Sequence, residues 1–470
     1  MTDAWVVGSG PNGLAGAVEL ARNGLRVTVL EAADEIGGGT RTSELTLPGV
    51  LHDHCSAFHP MATASPFMRS LDLAGHGLEW RWPQVDLAHP LDGGTAAFMA
   101  RSVSATAEGL GADGPAWERL FRGPAEHFDS ILPDLMQPMV HLPRRPLRLT
   151  RFGIPALAPA TVVARAFEGE PAKALFGGIA AHAIAPLTRP LSASVGMALA
   201  CSGHAYGWPV AAGGSRAIAD ALAAELRVHG GSIETGRRVD SLDELPRGDT
   251  ILLDLAPRRV ADIAGARLDA RVARAYRRYR HGPGAFKVDI AVEGGVPWTA
   301  EVCRTAGTVH AVGTFDEIVR AEAEVNAGRM PERPYVLVGQ QHLADPSRSA
   351  GDVHPVWAYA HVPSGWARDE TDTVIGQIER FAPGFRDRIV GQVSKGPAEF
   401  EAYNANFVGG DIIGGANSPS QILFRPRLGL KPYATGIPGV FMCSASTPPG
   451  AGAHGMCGAN AAQAALRELR

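Results

Sequence analysis

With 470 residues, 45% of them apolar, the chain is long enough for two or three domains with sizeable cores. Its net charge of −4 supplies no global basic field for nucleic acid, and no run reaches the ~18 uninterrupted apolar residues of a membrane span. Five scattered cysteines (Cys55, Cys201, Cys303, Cys443, Cys457), odd in number and never in a C-x-x-C pair, argue against a disulfide framework, a zinc site or dithiol chemistry and make a reducing cytoplasm the default setting.

The stretch from Asp3 to Glu31 reads as strand, tight turn, helix and second strand. An apolar run (4–7) leads into Gly8-x-Gly10-Pro11-Asn12-Gly13, a helix-compatible run continues to Asn23-Gly24, and a β-branched run (27–30) ends on Glu31. The first glycine permits the sharp turn, the second lets backbone approach a pyrophosphate, and the third allows close helix-to-strand packing. Unpaired N–H groups at the helix start complete an anion site. Glu31 follows Gly10 by 21 residues, where an acidic side chain meets a ribose 2′-OH. The motif begins at residue 8, which leaves no room for a signal peptide before it.

A second glycine cluster, Gly37-Gly38-Gly39-Thr40-Arg41, brings backbone close to the cofactor again, with Arg41 able to neutralise a phosphate. His52, Asp53, His54 and His59 invite a metal reading, but they lack the i, i+4 histidine pair of a zinc helix, and no metal is expected. Residues 70 to 205 are richer in proline and mainly helical, around 115–132, 161–185 and 192–200, as in an inserted cap. Within it Arg144, Arg145, Arg148 and Arg151 alternate with apolar residues, a pattern that reads first as a solvated basic face with buried leucines and, as the alternative, as a segment resting on a membrane surface or meeting an amphiphilic substrate. His182, in a small-residue helix, is the cap's candidate for a substrate-side polar group. A helix at 217–229, a strand leading to Val239 and a parallel strand at 249–255 return to the style of the first domain. Alternation at 285–292, 335–341 and 356–362 predicts an antiparallel sheet, with Lys287 and Asp289 on one face of their strand. A last strand (436–443) runs into a Gly/Pro loop and an Ala-rich helix (459–466), again an anion site at a helix start.

The glycine motifs at both ends resemble those of the FAD-binding amine-oxidase and phytoene-desaturase superfamily. The likeness spans nearly the whole chain and is closest to the phytoene-desaturase-like branch that includes pyridine nucleotide-disulphide oxidoreductase domain protein 2. It implies an α/β fold: a discontinuous Rossmann-like FAD-binding domain with a parallel sheet (1–70, 205–265, 426–470) and an inserted α+β substrate domain with an antiparallel sheet and helical cap (71–204, 266–425). It implies FAD held by Gly8, Gly10, Pro11, Asn12, Gly13, Glu31, Gly38, Gly39, Thr40, Arg41, Ser56, Val239, Ser444, Gly452, His454, Gly455 and Met456. Ser444 stands where many relatives carry an acidic residue on the ribityl chain. In amine oxidases a sheet lysine holds a water near flavin N5, which suggests Lys287 for that role, with an outward salt-bridge lysine as the competing reading. His182 and His59 complete the candidate catalytic set. The implied reaction takes a hydride from a lipophilic small molecule such as a polyene or lipid. A redox-neutral isomerase, an O2-dependent ketolase or oxidase, and a non-catalytic flavin- or lipid-binding protein remain alternatives. No nucleic-acid partner is expected, and a homodimer and a peripheral membrane contact are left open.

Overall fold

The strand Asp3–Val7 lies at the centre of a five-stranded sheet in the computed structural model, which describes residues 2–246 and 250–470. The order across this sheet is Val440–Met442, Thr250–Leu253, Asp3–Val7, Arg26–Leu30, Ser232–Glu234, and every neighbouring pair is parallel. Asp249, the expected start of one strand, falls outside the described residues. Helices cover both faces, which is why these strands read as apolar runs without alternation. Val6, Val29, Leu252 and Phe441 face the helices Pro11–Arg22, Arg216–Val228 and Met456–Leu469. Val7, Leu30, Leu253 and Met442 face Val260, Ile263 and Tyr276 on the opposite side.

The second sheet has seven strands, in the order Ile389–Lys395, Gly284–Glu293, Val353–Val362, Val336–Gly339, Ala306–Ala311, Val85–Pro90, Ala96–Met99. The three expected antiparallel strands are present, with Phe286 opposite Ala360 and Ala360 opposite Val336. Two corrections arise from residues 85–99. They are strands, not part of a mainly helical insertion, and Val85–Pro90 pairs in parallel with Ala306–Ala311, so the sheet is mixed. The strand Val85–Pro90 is buried on both faces, which removes the alternation by which a strand is read from sequence.

The cap helices are also more broken than their composition suggests. The expected helix 161–185 is split into Ala160–Val163 and Glu170–Ala180; at the break the Asp113 carboxylate accepts the N–H groups of Glu168 and Gly169, each at 2.8 Å. The expected helix 115–132 divides into Gly114–Glu126 and Phe128–Leu135. The third runs over Ala193–Tyr206. The final helix, Met456–Leu469, is longer than the alanine-rich core that predicts it and lies against the helix Pro11–Arg22.

Candidate dinucleotide site and adjoining cavity

The glycine turn is built as the motif requires. Gly8 has φ +101°, a left-handed conformation that disfavours a side chain, and its N–H donates to the carbonyl of Leu30 at 2.8 Å. A Cβ on Gly13 would stand 2.1 Å from the Gly8 carbonyl oxygen, so the helix can start this close to the strand only without a side chain there. Glu31 closes the second strand with both oxygens engaged: Oε2 accepts the N–H (2.9 Å) and hydroxyl (2.5 Å) of Ser9, and Oε1 accepts the N–H of Ala33 at 2.9 Å.

From this turn runs a groove of about 600 Å³. Gly8, Gly10, Pro11, Asn12, Glu31, Gly38, Gly39, Thr40, Arg41, Ser56, His59, Val239, Ser444 and Gly452 all line it. Arg41 is less available than its charge suggests, because its guanidinium donates to the carbonyls of Ile36 (3.1 Å) and Glu35 (2.5 Å) and lies over the ring of Tyr403. The Ser444 hydroxyl donates to the Leu255 carbonyl at 2.8 Å. Expected in the same wall, His454, Gly455 and Met456 stand behind it instead. Burial holds the His454 pKa at about 4, so its ring is neutral and Nδ1 accepts the Met456 N–H at 3.1 Å; its carbonyl accepts the Ser65 hydroxyl at 2.7 Å. These residues anchor the start of the last helix.

Sequence reasoning passed over Asp254. It follows the strand Thr250–Leu253 at its carboxyl end, where ligands of open α/β sheets bind, and its Oδ2 accepts the Gly13 N–H at 3.0 Å directly beneath the turn. The available signal was an acid interrupting an apolar run at a strand end. Burial raises its pKa to about 7, the nearby Glu31 charge pushes the same way, and the Gly13 N–H opposes both. The native carboxyl is therefore neutral below pH 7, while the unfolded group ionises near its ordinary value of 3.8. Its raised pKa means that this contribution to stability is present at low pH and is lost as pH rises from about 4 to 7, and a pyrophosphate meets a like charge only above that range. Titration with FAD at a series of pH values should show wild-type affinity falling by up to about tenfold per pH unit above neutrality, and Asp254→Asn flat across the same range.

A second cavity, of about 140 Å³, opens off the groove; Cys55, Ser56, Phe58, Pro60, His182, Leu199, Tyr359 and Ile412 line both. Its other walls include Trp208, Leu337, Trp357, Thr308 and Lys287, and among the described residues no Asp or Glu lines it. Lys287 is only 2% exposed, ion-paired with Asp289 and 5.9 Å from the centre of the Trp357 ring, so it is not the outward lysine of the competing reading. Burial works against the Asp289 charge, but Lys287 and His52, whose Nδ1 is 3.4 Å away, outweigh it and hold the pKa below the usual carboxylate value. His182 and His310 are joined through their Nε2 atoms at 3.1 Å, and burial drives the His182 pKa to about 3, leaving a neutral imidazole in the cavity wall. Burial likewise raises the Cys55 thiol to about 11 and lowers His59 to about 4. His59 is bonded through Nε2 to Ser215 Oγ at 2.8 Å, and Ser56 Oγ donates to the Phe58 carbonyl at 2.9 Å.

The histidine-rich stretch disperses to separate partners. His52 meets Thr46 and Asp289, His54 meets Ser43, and Asp53 is ion-paired with the buried Arg348. Thr42 Oγ1 and the Ser215 N–H also donate to Asp53, each at 2.6 Å.

Residues 6–72 match the NAD(P)-binding Rossmann-like domain family. Pyridine nucleotide-disulfide oxidoreductase domain-containing protein 2 of Rattus norvegicus is 24% identical over 100% of this chain and 94% of its own length. Among solved structures, an oxidoreductase from Methanosarcina mazei superposes with a TM-score of 0.64 at 13% identity, covering 99% of this chain and 100% of that one. Cyclohexylamine oxidase from Brevibacterium oxydans gives 0.59 at 16% identity, covering 100% and 99%. The chain therefore has the fold of these oxidoreductases, with a Rossmann-like dinucleotide-binding domain, and is similar from end to end to pyridine nucleotide-disulfide oxidoreductase domain-containing protein 2.

Proposed function

We propose that the chain is an FAD-dependent oxidoreductase that removes a hydride from a lipophilic small molecule, leaving a C=C or C=N bond. The observation that carries this reading is an apolar cavity, with no Asp or Glu among the described residues lining it, that opens directly into the dinucleotide groove. The lining of the groove suits FAD: Glu31 and Val239 would hold the adenosine, the glycine turn the pyrophosphate, and Ser56, which lines the cavity as well, the flavin end. Bound there, FAD would supply the hydride acceptor, while the protein contributes position, electrostatics and exclusion of water.

The chain's own residues fit that division of labour. Phe58, Pro60, Leu199 and Trp357 keep water from the reacting carbon. Neutral His182, held by His310, offers one hydrogen bond without a charge. With no carboxylate on the wall, a cationic substrate finds no partner there, which favours an uncharged polyene or lipid. A volume of about 140 Å³ admits the reacting end of such a molecule, with the remainder directed along the groove.

A second reading, a small alicyclic amine reacting in its neutral form, is favoured by the same small volume and by the stacked Trp357 and Tyr359 rings, 5.6 Å apart and 12° from parallel. The fold likeness to cyclohexylamine oxidase adds to it. Anaerobic mixing of the flavin-loaded protein with polyenes, long-chain lipids and alicyclic amines separates the two. Loss of the visible flavin absorbance with the apolar compounds is expected, and bleaching by amines alone would transfer the assignment to the second reading. A preparation that stays colourless with excess FAD would overturn both. Product analysis with and without O2 distinguishes desaturation from isomerisation or ketolation.

A further inference from the structure

Residues 135–167 of the cap contain five arginines (Arg144, Arg145, Arg148, Arg151, Arg165) and no Asp or Glu. All five are exposed, and among them stand large apolar side chains turned outward: Leu142 is 94% exposed, Leu147 85%, Ile154 69% and Leu157 56%. We propose that this face docks on an anionic phospholipid membrane.

The arrangement is built, not incidental. In the helix Pro146–Leu157, Phe152 and Ala156 point into the cap core, while Leu147, Arg151 and Ile154, at i, i+4 and i+7, share the outer face. The loop before it is pinned. The buried Asp134 carboxylate accepts the Arg144 N–H at 3.0 and 3.1 Å and lies 3.2 Å from His141 Nε2, which fixes Leu142 in its outward position. Outward leucine and isoleucine interleaved with arginine suit an interface with acyl chains below and phosphates above. A second copy of the chain on the same patch would bring two sets of arginines together across a twofold axis, whereas anionic headgroups complement them. No helix among the described residues is long and apolar enough to cross a membrane, so the contact is peripheral. The helix Pro146–Leu157 packs on Ala193–Tyr206, whose Leu199 lines the apolar cavity on its other side. The docking face is thus one helix away from the cavity, and it stands whatever small molecule the cavity accepts.

The test is co-sedimentation of the full chain with sucrose-loaded vesicles of phosphatidylcholine alone or mixed with phosphatidylglycerol. The protein should pellet with the mixed vesicles only and be released by high salt. Affinity should fall about fivefold for each arginine neutralised, so that R144Q/R145Q/R148Q binds on the order of 100-fold more weakly. L147S/I154S should also stay in the supernatant with an unchanged circular dichroism spectrum. The proposal is overturned if the wild type ignores both vesicle types, if the arginine variant pellets as well as the wild type, or if light scattering finds a dimer that L147S/I154S converts to a monomer.

Discussion

Gly458→Ala is expected to cost about 3 kcal/mol or more and to strip the protein of its dinucleotide. Gly458 lies in the first turn of the helix Met456–Leu469, where that helix crosses Pro11–Arg22. A Cβ there would stand 1.8 Å from the Asn12 carbonyl oxygen and 2.7 Å from the Gly16 nitrogen. Both atoms are backbone, so no rotamer change relieves the overlap and one helix must retreat by well over an ångström in a close-packed interior. Asn12 lines the groove, so the displacement falls on the cofactor site as well as on the core. Urea unfolding and flavin content after gel filtration check the outcome; an unaltered midpoint with full flavin content would mean that the two helices do not meet backbone to backbone. Gly153→Ala is the control: its added Cβ meets nothing within 4 Å, and stability should rise slightly, as expected for alanine in an exposed helix.

Lys287→Met should destabilise the protein by about 3–5 kcal/mol, because it leaves the Asp289 carboxylate buried at 2% exposure with its main partner removed. Replacing both, Lys287→Met with Asp289→Leu, should recover most of that loss, since an apolar pair escapes the desolvation that the ion pair bears. The pH dependence has a definite sign. In the native protein the Asp289 pKa is held below 3.8, so its contribution is present above that value and is lost as pH falls through the native pKa. In Lys287→Met, uncompensated burial raises the pKa instead, and stability then falls as pH rises; the deficit should therefore grow from acidic to mildly alkaline buffer. Urea titrations of the wild type and the two variants in acidic and mildly alkaline buffer test this. Flavin reoxidation measured on the same proteins bears on the suggested water-holding role of Lys287, and a rate unchanged from wild type would remove it.

The residues from Asp3 to Glu31 show what was legible in the sequence. Strand, glycine turn, helix and terminal carboxylate are contiguous, so their spacing alone dictates that Gly8 turns, Gly13 packs and Glu31 ends the second strand. The C-terminal loop was legible for a like reason, yet only part of it forms the groove wall. Gly452 faces the groove, while His454 caps the following helix and Met456 begins it. Lys287 and Asp289 were placed together by the two-residue period of a strand, whereas their burial depends on the sheet neighbours and the short strand Leu51–Asp53 carrying His52, which no local period reveals.

What the sequence determined by itself is the local chemistry of each glycine motif and the α/β class, because backbone turns and side-chain periodicity act over a few residues. Only the tertiary structure decided which distant groups meet. Asp254 reaches Gly13 across 241 positions, His182 reaches His310 across 128, and Gly458 abuts Asn12 from the opposite end of the chain. Such contacts are selected by the packing of whole strands and helices against one another. The pKa of Asp254, the neutrality of His182 and the intolerance of Gly458 to a methyl group follow from that packing.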